Sequence, residues 1–233
     1  MFAKCDKRSY LENQPPNKRW KLTMDETVKV RKRPVQARSQ ARVDAILSSA
    51  AEIISEIGSD RLKMSELAAR AGVPIGTVYQ FFPNKSSIIH TLAQESVDRV
   101  RRTLIAELSD FDSIEDATNR LSGSIYEYYR YFKNEPVARD IWSSTQGDKL
   151  LQEIDMQDSR QNASILFDNL KSLFPKTAHE RLSATCFLCV QLTGNVVRLA
   201  VTQEDELAQL MLDQYAAMLR AGIRELAEIS ADE

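Results

Sequence analysis

The sequence predicts an all-α protein of about nine helices, and three observations carry that expectation. Apolar residues recur at three- and four-residue spacing along almost the whole chain beyond Gln36. Stretches that alternate apolar and polar, as a half-buried strand would, are almost absent. Seven glycines and seven prolines in 233 residues are too few for a chain built on many tight turns.

The elements follow in order. Residues 1–35 are polar, basic and aperiodic, and read as a disordered arm. Met24 offers a second start inside it. Val43, Ile46, Leu47, Ala50, Ile53, Ile54 and Ile57 fall on one face of a first helix, which Gly58 closes. Ser65 reads as the N-cap of a second helix that ends before Gly72. A third runs from about Pro74 to Phe81 and stops at Pro83-Asn84, and a fourth begins near Lys85. Five more are expected near 113–134, 136–145, 148–173, 178–202 and 204–229, broken at Pro136 and Pro175. Thr177 with Glu180 three residues on reads as a capping box. The expected division is a basic arm over 1–35, a unit over 36–84 and a larger helical unit over 85–233.

Composition excludes several classes. Hydrophobic residues make up 43% of the chain and charged residues 27%, which suits an ordinary globular core. No uninterrupted apolar run suggests a membrane span, and the basic N-terminus lacks a secretory h-region. Three cysteines do not make a disulfide framework, so a cytoplasmic protein is expected. Net charge is −2, but it is unevenly spread. Residues 1–45 carry a net +7, residues 46–102 a net +1 and the remainder a net −10. A basic end joined to an acidic end is what one polyanion-facing part would produce.

Residues 65–82 carry the functional signal. A helix-turn-helix needs a small residue where its helices cross and, four residues on, a glycine able to take a left-handed turn. Ala68 and Gly72 fill those places. Leu67, Ala71, Val73, Val78 and Phe81 supply the apolar positions around them. Ile75, Gly76, Thr77, Tyr79 and Gln80 are left on the outward face of the short second helix, whose start would enter a major groove. Gly76 lets the backbone approach DNA, Thr77 and Tyr79 can donate to phosphate, and Gln80 or Thr77 can read a base edge. Lys85 opens the next helix, where free amides favour a phosphate.

The stretch from Arg42 to Leu92 resembles the tetracycline-repressor (TetR) family of bacterial transcriptional regulators. The likeness rests on Arg42-x-x-x-Ile46-Leu47-x-x-Ala50-Ala51 and Gly58. It continues through Ser65-x-Leu67-Ala68-x-x-Ala71-Gly72-Val73 and Gly76-Thr77-Val78-Tyr79-x-Phe81-Phe82-x-x-Lys85. The resemblance implies an all-α homodimer, with a helix-turn-helix DNA-binding domain followed by a regulatory and dimerisation core. It implies that Ser65, Thr77, Tyr79 and Lys85 contact operator DNA, with Arg42 within the matched motif. It also implies a non-enzymatic repressor that binds a palindromic double-stranded operator and is released by a small-molecule effector. An effector-independent regulator or activator, or a helical enzyme or adaptor, are the rival readings. Pro74-Ile75 departs from the small or charged residue usual in the family at that place.

The C-terminal part gives less. Gln191, Asn195 and Arg198 share an arc of about 60° on one helix. They read as a solvent stripe, a dimer-interface network or the polar wall of an effector pocket. Tyr129 and Trp142 read as core or as aromatic walls of that pocket, which Met156 and Phe167 would join. Helix 204–229 is apolar on two sides, one with Met211 and Met218, the other with Tyr215 and Leu219. One side is expected to pack in the protomer and the other on a partner, with Gly222 at the same interface. Cys186 and Cys189 read as core thiols or a redox pair. No cofactor-binding loop, metal-ligand cluster or catalytic constellation is present in the sequence, so no cofactor and no metal are expected.

Overall fold

A computed structural model describes residues 32–144 and 147–231. The chain divides into two units, residues 1–41 and 42–233. Of the first, the described part is the opening of α1 (Lys32–Ile57), helical from Lys32 rather than from Gln36. The rest of the expected basic arm, including Lys29, Arg31 and the alternative start Met24, lies outside the described residues.

The second unit continues α1 and adds eight helices. They are α2 (Met64–Arg70), α3 (Ile75–Phe81), α4 (Lys85–Glu107), α5 (Ile114–Asn134), α6 (Pro136–Ser143), α7 (Lys149–Leu170), α8 (His179–Ala200) and α9 (Asp205–Ala231). Among the described residues there is no strand.

Local chemistry fixes most boundaries. Gly58 takes φ 85°, and its N–H closes α1 on the Ile54 carbonyl at 2.9 Å. Gly72 takes φ 65° between α2 and α3, with Val73 N–H donating to the Ala68 carbonyl at 3.1 Å. Asn84 Oδ1 caps α4 by accepting from Ser87 N–H, and Ser113 Oγ caps α5 by accepting from Asp116 N–H. Asp148 caps α7 by accepting from the amides of Leu150 and Leu151.

Two expected caps do not form. Lys63, not Ser65, is the N-cap of α2, so Ser65 sits inside the first turn and makes no cap bond. Thr177 lies within a short 3-10 turn, Lys176–Ala178, that follows Pro175. The Ala178 N–H bonds the Pro175 carbonyl at 3.0 Å, and α8 starts from Ala178 with no side-chain cap. A residue already in a helical turn cannot hold the extended backbone of an N-cap, so the Thr177–Glu180 box is lost.

Two apolar cores result. One gathers Ile46, Ile53 and Ile54 of α1, Leu67 and Ala68 of α2, Val78 of α3, and Ile88, Leu92 and Ala93 of α4. The other lies among α5, α7, α8 and α9, with Phe132, Leu170, Leu182, Leu212 and Ile223 at its centre. The expected boundary at residue 84 is not a gap. α4, about 35 Å long at 1.5 Å per residue, leads from the first core to Val97 in the second. α6 places Ile141 in the first core and Ala138 and Trp142 in the second, and α7 adds Leu151 to the first.

Candidate nucleic-acid interface and interior cavity

The turn at Gly72 sets the angle between α2 and α3, and Val78 locks it. Val78 is fully buried in the first core, which turns the opposite face of α3 outward. On that face Ile75 is 46% exposed and Tyr79 48%, while Gly76 and Gln80 are exposed and Thr77 is half-buried. A side chain added at Gly76 would meet nothing within 4 Å. Ser65 and Arg42 are exposed as well. Lys85 is half-buried, and its Nζ donates to the Asp60 carbonyl at 3.0 Å, so the ammonium is held at the end of the 3-10 turn Ser59–Arg61. Arg70 is directed to Glu56 at 2.7 Å and to Glu66 at 3.8 Å. The outward face of α3 itself carries no carboxylate.

The second core holds a partly open cavity of about 90 Å³. Val100, Leu121, Leu166, Val190 and Leu219 form its apolar wall. Its polar wall comes mainly from α7 and α8: Asp155, Asp158, Ser159 and Asn162 from the one, Gln191, Thr193 and Arg198 from the other. Tyr128 of α5 joins them, and burial pushes its phenol above its usual range. Arg198 Nη1 meets Asp155 Oδ1 at 3.2 Å, and Arg101 Nη2 meets Asp158 Oδ1 at 2.5 Å. Burial raises the Asp158 carboxyl despite the Arg101 beside it.

Gln191 and Arg198 thus lie on the cavity as the wheel allowed, but Arg198 is answered from within the protein by Asp155. Asn195 lies outside on the exposed side, donating to the Gln191 carbonyl and accepting from Arg198 Nη2. The other expected pocket residues are elsewhere. Tyr129 is buried in the core one step around α5 from Tyr128, because the turn of 100° per residue puts Tyr128 toward the cavity instead. Trp142 is buried in α6 and lines a separate cleft with Arg139 and Val201. Met156 is 40% exposed on the far side of α7. Phe167 packs edge-on to His179, 5.6 Å between ring centres.

Asp155, Asp158, Ser159 and Asn162 were missed in the sequence. Their i, i+3, i+4, i+7 spacing was the available signal, since this polar stripe runs directly into Leu166 on the same face.

On α9 the two apolar sides separate cleanly. Leu219 is 7% exposed and Tyr215 8%, and the Tyr215 hydroxyl donates to the Cys189 carbonyl at 3.0 Å. Both therefore belong to the protomer core, not to a partner contact. Met218 is 63% exposed, Gly222 is exposed and Met211 half-buried. Leu207, Leu210 and Met218 form an exposed stripe on α9, and Leu188, Leu192 and Leu199 one on α8, which packs against it. By length and hydropathy alone, residues 176–200 could cross a membrane, contrary to the expectation from uninterrupted runs. The polar side of that segment is what lines the cavity.

Burial raises the Cys186 thiol to about 12 and the Cys189 thiol to about 11, so both stay protonated and poorly nucleophilic near neutral pH. Among the described residues, no group of three His, Cys, Asp or Glu is placed to hold a metal ion.

A helix-turn-helix with an open recognition helix, joined to a larger helical core, defines the class of helix-turn-helix DNA-binding regulators. Comparison with known proteins identifies the family. Residues 46–92 match the family described as "Bacterial regulatory proteins, tetR family", and residues 115–226 match "Tetracyclin repressor-like, C-terminal domain". The chain is 29% identical over 82 residues to the uncharacterized HTH-type transcriptional regulator YvdT of Bacillus subtilis. That match takes in 34% of this chain and only 42% of YvdT. It is 23% identical over 178 residues to the HTH-type transcriptional repressor Rv1474c of Mycobacterium tuberculosis, covering 74% of this chain and 90% of that one. A solved TetR-family regulator from Streptomyces coelicolor shares the fold, with a TM-score of 0.60 at 23% identity, over 79% of this chain and 96% of that chain. The chain belongs to the TetR family, whose members are regulators of transcription rather than enzymes.

Proposed function

We propose that this protein is a dimeric repressor that binds a palindromic operator and leaves it when a small molecule fills the cavity of the second core. The observation that carries the reading is α6. One eight-residue helix puts Ile141 into the DNA-binding core and Trp142 into the core that holds the cavity. A change in packing on the cavity side therefore reaches the recognition helix through contiguous side chains.

In this reading Thr77, Tyr79, Ser65, Arg42 and Lys85 contact phosphate, Gly76 admits the backbone, and Gln80 or Thr77 reads a base edge. Ile75 meets a thymine methyl or packs on the duplex. The dimer forms through the Leu188–Leu192–Leu199 and Leu207–Leu210–Met218 stripes. Two adjacent helices from each protomer then make a four-helix seam. A contiguous apolar surface of this kind is costly in water, and pairing with a second copy removes it. Such a dimer works in the cytoplasm, on the nucleoid. The effector releases DNA only if it binds the released arrangement more tightly than the DNA-bound one.

Fluorescence anisotropy on a selected operator tests the reading, with the protein titrated at several salt concentrations and then challenged with cell extract fractionated below 1 kDa by size. Saturable, salt-dependent binding that one low-mass fraction reverses is the expected result. Binding that no fraction alters would remove the effector from the account.

A further inference from the structure

Two polar atoms of residues that line the cavity have no partner. Asn162 Oδ1 and Gln191 Nε2 are both out of contact with solvent and both without a hydrogen bond. Asn162 itself is 8% exposed. Its orientation is fixed, because Nδ2 donates to Asp158 Oδ2 at 3.0 Å and a carboxylate accepts only from a donor. Oδ1 must then point away from Asp158 as an unsatisfied acceptor. A buried group left in this state bears its desolvation cost without compensation, so its presence needs a reason.

The charges around the cavity, in contrast, are paired, with Arg101 Nε alone of their buried atoms left without a hydrogen bond. Asp155 pairs with Arg198 and Asp158 with Arg101, leaving two carboxylates against two guanidiniums. An anionic ligand would have to take a guanidinium from its carboxylate, and a cation the reverse. The remaining wall is apolar or hydroxyl-bearing.

We infer that the cavity takes a compact, uncharged, mainly apolar molecule bearing a hydroxyl, which donates to Asn162 and accepts from Gln191. This rests on reading the cavity as the effector site, and it names the chemistry that the site selects. A hydroxyl is the smallest group that both donates and accepts. At about 90 Å³ the cavity is smaller than the roughly 150 Å³ space that admits benzene. A ring would also need the neighbouring cleft of about 300 Å³, which Val100, Ser124 and Tyr128 border as well.

Isothermal titration of the full chain with phenol, toluene, benzoate and benzylamine tests this, with the Asn162→Leu and Gln191→Leu variants alongside. Phenol should bind about tenfold more tightly than toluene, and the two charged probes more weakly than either. Each variant should abolish the preference of phenol over toluene while leaving toluene affinity unchanged. Gln191→Leu disturbs no ion pair, so it remains informative if Asn162→Leu weakens the fold by freeing Asp158. Equal binding of phenol and toluene, tightest binding of a charged probe, an unchanged preference in Gln191→Leu, or no binding of any probe overturns the inference. If phenol binds with the expected preference yet leaves operator affinity untouched, the chemistry of the site stands and the effector reading fails.

Discussion

The main-chain N–H of Ser59 donates to Asp140 Oδ2 at 2.9 Å, across 81 residues of sequence. Ser59 is buried and follows Gly58, where a side-chain carbon would come within 3.2 Å of Asp140 Oδ1. The carboxylate of α6 thus caps the turn that ends α1, next to the point where Ile141 enters the DNA-binding core. Asp140→Ala should leave that amide unpaired and cost about 1–3 kcal/mol of stability, read from chemical denaturation. It should also uncouple the two cores, so that ligand occupancy of the cavity alters operator affinity less than in the parent. An unchanged denaturation midpoint together with unchanged coupling would show the bond to be incidental.

Thr77 and Tyr79 stand on the face of α3 that Val78 turns outward. Thr77→Ala and Tyr79→Phe should each weaken operator binding by about 1–3 kcal/mol if their hydroxyls contact DNA directly. Circular dichroism and melting should hardly move, since neither hydroxyl supports the core. Gel-shift affinities equal to the parent in both variants would take these residues out of the interface.

Met218 and Leu219 are neighbours on α9 with opposite fates, 63% and 7% exposed. Leu219→Glu buries a charge without a partner and should cost about 3–5 kcal/mol, lowering the folded fraction. Met218→Glu should leave a folded monomer that has lost the avidity of two half-sites. Sedimentation velocity with circular dichroism separates the two outcomes. A folded, fully dimeric Met218→Glu protein would move the seam elsewhere.

Asp148 caps α7 and accepts from His90 of α4 at 2.9 Å. The His90 bond, with the Leu150 and Leu151 amides, holds its carboxyl below the usual carboxylate range. The unfolded chain therefore takes up that proton first. The stability it provides is present above the ordinary Asp range near pH 4 and is lost as pH falls through the lower folded value. Asp148→Asn keeps the cap but not the charge. Its melting temperature should lie below the parent near neutrality, and the gap should close as the pH falls toward 3. A gap that stays constant with pH would show that the Asp148 charge is not its source.

The DNA-binding half was legible because local rules set it. Ala68, Gly72 and Val78 each have a requirement that sequence spacing expresses, and the structure meets all three. Helix number and order were legible for the same reason. The cavity was not, because it depends on which of two adjacent residues a helix turns inward. Tyr128 rather than Tyr129 faces it, and Asp155 rather than a ligand answers Arg198. The two faces of α9 were visible as faces, but only tertiary packing assigns Tyr215 and Leu219 to the inside. The cap at Ser65 failed because α2 starts two residues earlier, from Lys63, and the cap at Thr177 because a 3-10 turn already holds that residue in a helical conformation.

In the proposed dimer, α3 of each protomer reads one of two half-sites. Selection of binding sites from random duplex DNA by the purified full chain tests it most directly. The expected product is an inverted repeat whose half-sites lie about 34–36 Å apart or somewhat more, bound cooperatively and lost when Thr77→Ala and Tyr79→Phe are combined. Enrichment of no sequence, or of a single half-site bound equally well by the Met218→Glu protein, would contradict it.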